Sequence, residues 1–203
     1  MSIPKVLFQT SRDRLEEHVE QKFRKHMNND WQYLHFVDSE IIQFFEENYL
    51  SEFPDIVNKF NSIPTGAHKA DLFRYYYLYV KGGVFVDSDA MITENIEEVT
   101  RDYSFFSVQG GGDGIFQGFI GCCPKNEIIY KALVDAYNID LNLLANCYLL
   151  LCFNLHKIIH HNTYDFKYKL YYDKPLNESE YGIYDENDKL ILIHYHLLKN
   201  IPK

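Results

Sequence analysis

Lys81-Gly82-Gly83-Val84-Phe85-Val86-Asp87-Ser88-Asp89 is the stretch whose reading decides the fold. Gly82-Gly83 marks a helix stop, since glycine enters the left-handed backbone region that closes a helix without steric cost. Upstream, residues 67–80 read as the clearest helix in the chain, with Ala70, Phe73, Tyr77 and Val80 forming one apolar face. Downstream, Val84-Phe85-Val86 is a short unbroken apolar run, as expected of a strand buried on both faces. The run passes directly into Asp87-Ser88-Asp89, so two carboxylates stand at the C-terminal end of a central strand.

Working outward, residues 5–9 read as a first strand and 33–37 as a second. Between them lies a surface helix over 14–27, whose sparse apolar points (Leu15, Val19, Phe23, Met27) are spaced at four. A further helix is expected from Ser39, as N-cap, to Asn48. This β-α-β-α alternation is the pattern of an α/β sheet. Pro54 and Pro64 punctuate an irregular stretch. In the second half, strands are expected over 103–108 and 115–121, flanking Gly110-Gly111-Gly112-Asp113-Gly114. Helices are expected over 126–137 and 141–159, and strands over 168–172 and 190–195. With 203 residues and neither repeat nor linker, the chain reads as a single domain over 1–203.

Composition narrows the function. At 46% hydrophobic and 24% charged, the chain belongs with globular proteins. A net charge of −9 with no basic run argues against nucleic acid and anionic membrane surfaces as partners. A phosphate-bearing small ligand stays open, because a bound cation supplies positive charge locally. The longest apolar stretch, near residues 141–153, is interrupted by Asn142 and Asn146 and is too short to span a bilayer. Cys122, Cys123, Cys147 and Cys152 form no CxxC pair, so reduced thiols are expected, and Asn177-Glu178-Ser179 reads as a chance glycosylation sequon. A cytoplasmic protein is the resulting expectation.

The chemistry concentrates around the aspartates. In an extended segment, Asp87 and Asp89 project to the same side. Two adjacent carboxylates repel, and a hard divalent cation such as Mn2+ or Mg2+ relieves the repulsion while sharing its remaining positions with phosphate and water. Asp71 and Arg74 lie three apart on the preceding helix, hence on one face. Arg74 suits a phosphate or sugar oxygen, and Asp71 suits ribose or sugar hydroxyls; an intrahelical ion pair is the plainer alternative. Near the other end, His194 and His196 share a strand face, so either is placed to complete a metal site. Lys199 follows as a point charge for a diphosphate. In the glycine-rich loop, Asp113 and Gln117 are candidate sugar contacts, with Asp113 the candidate base or nucleophile, although a plain hairpin turn explains that loop equally well. No GxSxG, Walker, HExxH or post-strand GxGxxG motif occurs.

Lys69-Ala70-Asp71-Leu72-Phe73-Arg74-Tyr75, together with Tyr79-Val80-Lys81-Gly82-Gly83-Val84-Phe85-Val86-Asp87-Ser88-Asp89, resembles the core signature of DXD-containing sugar transferases. The likeness is greatest to glycosyltransferase family 32, whose core is shared with clostridial glucosylating toxins. The opening residues 3–10 resemble that family's first strand, which implies donor contacts at Gln9 and Thr10. His194-Tyr195 with Lys199 is similar to the tail of family 8 transferases. The resemblance implies a GT-A fold, a mixed, mostly parallel sheet flanked by helices. It also implies a Mn2+-type cation and a UDP- or GDP-sugar donor with a glycan or other hydroxyl acceptor. By position, Asp87, Asp89 and His194 fall on the metal, Ser88 beside it on the donor, and Asp71 and Arg74 on ribose or donor sugar. The alternatives are a sugar-nucleotide hydrolase, a nucleotidyltransferase, or a non-catalytic nucleotide-sugar binding module.

Overall fold

A computed structural model describes residues 2–178 and 180–201. Ser179 of the Asn177-Glu178-Ser179 sequon therefore lies outside the described residues. The first half follows the expected alternation: β1 (Val6–Thr10), α1 (Glu17–Arg24), β2 (Gln32–Phe36), α2 (Asp38–Glu47), α3 (Ile56–Ser62), α4 (Gly66–Lys81) and β3 (Gly83–Val86). Then come β4 (Ala90–Ile92), α5 (Ile96–Thr100), β5 (Phe105–Gln109) and β6 (Ile115–Cys122). The second half adds α6 (Glu127–Asn138), α7 (Leu141–Asn146), α8 (Leu150–His160), β7 (Tyr168–Pro175), β8 (Tyr181–Tyr184) and β9 (Leu190–His194).

The strands form one mixed sheet in the order β2-β1-β3-β6-β5-β7-β8-β9-β4. Pairing is parallel for β1 with β2, β1 with β3, and β5 with β7. The pairs of β3 with β6, β5 with β6, β7 with β8, β8 with β9 and β4 with β9 are antiparallel. The parallel block is the one built by helical crossovers, and the antiparallel pairs concentrate where short hairpins connect neighbours. No described helix is long and apolar enough to cross a membrane.

Period-two alternation explains both faces of the sheet. Phe8, Phe85, Phe105 and Ile120 point into a layer with α2, α3, α4, α6 and α8. Their neighbours Leu7, Val84, Val86, Phe106 and Phe119 point the other way, against α1 and α5. Hence β3 is buried on both faces, as its sequence demands. Gly82 and Gly83 make the connection to it possible. Their φ values are 69° and 105°, and a Cβ on Gly83 would stand 2.8 Å from the Val6 carbonyl oxygen.

Four local expectations change. The α4 helix is buried through its centre on every side, from Leu72 to Leu78, rather than along one stripe. It is packed between the sheet and α6, and two of its buried tyrosines satisfy their hydroxyls: Tyr76 donates to the Asn48 carbonyl (2.8 Å) and Tyr75 to Gln117 (2.6 Å). Ser39 is not the N-cap of α2. The cap falls at Val37, whose N–H donates to the Glu40 carboxylate at 3.0 Å. The helix expected over 141–159 is broken into α7 and α8 by extended Cys147, where the Tyr148 carbonyl is bonded by His68 Nε2 at 3.0 Å. Finally α3, β4, α5 and β8 carry too few residues to establish a period in sequence.

Candidate functional site

The site begins where β3 ends. The Asp87 N–H donates to the Gly118 carbonyl (2.8 Å), and its own carbonyl accepts from the Ala90 N–H (3.1 Å). Residues 87–90 therefore turn rather than run extended, and the turn starts β4. That short strand pairs with β9 in a register that sets Ala90 opposite His194, and the Tyr195 N–H donates to the Asp89 carbonyl at 2.9 Å. Residues separated by more than half the chain are thus clamped together by backbone bonds. The convergence of the two carboxylates comes from this turn, not from the i, i+2 alternation of a strand.

Asp87, Asp89 and His194 each offer one ligand atom, and these atoms lie within 4.8 Å of one another. His194 Nε2 stands 3.3 Å from Asp89 Oδ1. Burial raises the Asp87 carboxyl above its ordinary range; the Arg74 cation opposes that shift and Asp89 adds to it. Two oxygen donors and an imidazole, with uncompensated negative charge among them, fit a hard or borderline divalent cation.

Arg74 supports this cluster from beneath. It is 4% exposed, pairs with Asp71 at 3.1 Å and Asp87 at 3.2 Å, and lies 4.0 Å from the centroid of the Phe85 ring. The plain intrahelical ion pair is therefore formed, and Arg74 reaches past it to the motif. Burial pushes the Asp71 carboxyl up to about 6, with Arg74 opposing and Asp87 reinforcing the shift. Gln117 completes the floor, accepting from Tyr75 and, at 3.5 Å, from Arg74.

A cavity of about 1110 Å³ opens over the cluster. Thr10, Asp71, Arg74, Asp87, Ser88, Asp89, Gln117, His194 and His196 all line it. His196 sits just beyond β9 with φ of 60° and its ring 4.3 Å from that of His194, so the two are not alternate residues of one strand. Gln9, Asp113 and Lys199 do not line the cavity. Gln9 is fully buried and acts from behind: its Nε2 donates to the Asp87 carbonyl at 3.0 Å while Tyr33 donates to its Oε1 at 2.8 Å. Asp113 is exposed at the tip of the β5–β6 hairpin, where the Gly110 N–H donates to the Gly114 carbonyl. Lys199 is exposed in a short 3-10 turn, Leu198–Asn200. The cations that do line the cavity are Arg12, Lys69 and Arg74. Arg12 lies two residues past β1, a position whose importance shows only when strand ends are known.

Residues 13–106 match the protein family described as "Glycosyltransferase sugar-binding region containing DXD motif". The resemblance read from the motif holds. Inositol phosphoceramide mannosyltransferase 1 of Schizosaccharomyces pombe is 28% identical over 137 residues, covering 64% of this chain and 42% of that protein. The initiation-specific alpha-1,6-mannosyltransferase of Saccharomyces cerevisiae is 35% identical over 68 residues, covering 34% of this chain and 14% of that protein. The chain thus spans less than half the length of these relatives. In three dimensions, PaToxG glycosyltransferase superposes with a TM-score of 0.59 at 14% identity, over 79% of this chain and 70% of that one. The fold is accordingly the GT-A type expected.

Gly118 on β6 carries no motif yet is essential to this arrangement. A Cβ there would overlap Asp87 Oδ2 and the Phe116 ring. Gly118→Ala is expected to displace the Asp87 carboxylate, with an overpacking cost of about 1–3 kcal/mol. Denaturant unfolding checks this, and unchanged stability would show that the Asp87 and Phe116 side chains yield without cost.

Proposed function

We propose that the chain is a metal-dependent glycosyltransferase, acting as one catalytic domain over residues 1–203, that moves a hexose from a UDP- or GDP-sugar to a hydroxyl of a glycan acceptor. The observation that carries this reading is the meeting of Asp87, Asp89 and His194 at the floor of the cavity, beside Arg74. Because the relatives above are named mannosyltransferases, mannose is the first sugar to test. A cytoplasmic setting belongs to the same reading and is supported by four cysteines that form no disulfide among the described residues.

In transfer, the bond from the anomeric carbon to the diphosphate breaks and its electron pair stays on the diphosphate. The acceptor oxygen forms the new bond and passes its proton to the departing diphosphate. Asp87, Asp89 and His194 would hold Mn2+ or Mg2+, with His196 alongside. When bound, such a cation supplies Lewis-acid stabilisation of charge on the leaving group. Arg74 favours the ionised form of Asp87 and aims it, and the Gln9 amide fixes the Asp87 backbone. Thr10 and Ser88 face the donor, and Arg12 and Lys69 bring fixed positive charge to the same wall, where phosphate is favoured.

The deciding experiment incubates the protein with UDP- and GDP-hexoses, with and without Mn2+, and identifies the products. The expected result is release of a nucleoside diphosphate that depends on Mn2+ and ceases with a chelator. Pyrophosphate as product would indicate nucleotidyl transfer, and binding without turnover would indicate a non-catalytic module.

A further inference from the structure

The cations that line the cavity, Arg12, Lys69 and Arg74, come from just past β1 and from α4, where Lys69 pairs with Asp38 and Arg74 with Asp71 and Asp87. The opposite wall is built by β7, β8 and the end of β9, and presents Asp173, Pro175, Tyr181, Ile183 and the two histidines. No lysine or arginine lines that side among the described residues. The nearby lysines are occupied elsewhere, Lys174 by Asp188 and Lys169 by Glu186.

Asp173 is the unmatched charge on this wall. It is half-buried, opposite Ile183 in the β7–β8 pairing, and its Oδ2 would lie 3.8 Å from a Cβ placed on Gly110. Burial pushes its carboxyl upward, and only its own backbone opposes that shift. No described side chain pairs with it. Asp71 and Asp87, by contrast, share Arg74. A carboxylate lacking a cation repels a diphosphate, but it accepts hydrogen bonds from neighbouring hydroxyls of an uncharged molecule. Tyr181, 37% exposed and set edge-on to His196 at 5.4 Å, adds an aromatic surface suited to the apolar face of a sugar ring.

We propose that Asp173 is the acceptor-anchoring residue: its carboxylate accepts hydrogen bonds from the hydroxyls of an uncharged, polyhydroxylated acceptor and disfavours anionic ones. This rests on the transferase reading above and names the acceptor class for the same site. The sequence offers no sign of it, because Asp173 lies in a strand with no motif around it.

The test compares wild type, Asp173→Asn and Asp173→Glu in two assays: hydrolysis of the nucleotide-sugar, which needs no acceptor, and transfer to methyl α-mannoside or to glucuronic acid. Wild type is expected to prefer the neutral glycoside. In Asp173→Asn the KM for methyl α-mannoside should rise about tenfold or more, the scale of one lost charge-assisted hydrogen bond, while the donor KM in hydrolysis stays put. Asp173→Glu should recover part of the acceptor affinity. An unchanged acceptor KM, equal wild-type transfer to glucuronic acid, or no wild-type transfer to the neutral glycoside from a donor that is hydrolysed would each overturn the proposal. Equal losses in hydrolysis and transfer would also overturn it, since they mark a general structural role. Wild type that hydrolyses no nucleotide-sugar at all would instead bring down the transferase reading beneath it.

Discussion

Asp89→Asn is expected to lower Mn2+-dependent transfer by about three orders of magnitude, the scale of losing a principal electrostatic stabiliser of a transition state. The fold should survive, because Asp89 is held by its backbone. Its carbonyl accepts from Tyr195, and its side chain stands 3.3 Å from His194 Nε2. Removing one negative charge beside Asp87 relieves repulsion, so without metal the variant should melt no lower than wild type. With metal the two should part: added Mn2+ raises the wild-type melting temperature by mass action, and the variant should not respond. Thermal unfolding with and without Mn2+, run beside the transfer assay, checks both halves. Activity retained in the variant would remove the metal role assigned to this carboxylate.

Arg74→Met is expected to have the largest effect on stability. Arg74 is nearly fully buried and pairs with two carboxylates at once, and its guanidinium packs on Phe85. Methionine replaces part of the volume and none of the charge, leaving Asp71 and the partly exposed Asp87 without their cation. Breaking a buried pair in this way costs about 3–5 kcal/mol, which in a chain of this size lowers the melting temperature by about 10 °C. The loss should depend on pH. The Asp71 carboxyl already titrates at about 6 in the folded protein, against an ordinary value of 3.8, chiefly because it is desolvated. Between those values the folded state binds more protons than the unfolded state, so this group lowers stability as pH rises. Without Arg74 the folded value climbs further, and the deficit should be greater near about pH 8 than near about pH 5. Denaturant unfolding at both pH values measures it. A deficit independent of pH would mean that lost packing, not unpaired charge, dominates.

The parts of the site legible in sequence are those carried by local patterns. The apolar run at residues 84–86, the glycine pair before it and the Asp71, Arg74, Asp87 and Asp89 spacing all announced themselves, because burial on two faces, helix termination and charge spacing are short-range demands. Gln9, Asp113 and Lys199 show the limit. Each has a suitable side chain close in sequence to a relevant element, yet none lines the cavity. Whether a polar side chain faces a cavity, a core or solvent is set by how elements pack, and one residue of register reverses it. The break between α7 and α8 was hidden for a similar reason, since a histidine on another helix takes the carbonyl at the break.

By itself, then, the sequence determined an α/β chain with a doubly buried central strand and two aspartates at its C-terminal end, since these follow from hydrophobic period and glycine chemistry. Only the tertiary structure decided which residues join those aspartates. It clamps His194 against Asp89 through the β4–β9 register, leaves room for the Asp87 carboxylate by having no Cβ at Gly118, and sets Asp173 on the wall facing the cations. Those choices depend on pairing between distant segments, and the energy that settles them, backbone hydrogen bonding and burial across the whole sheet, has no local signature in the chain.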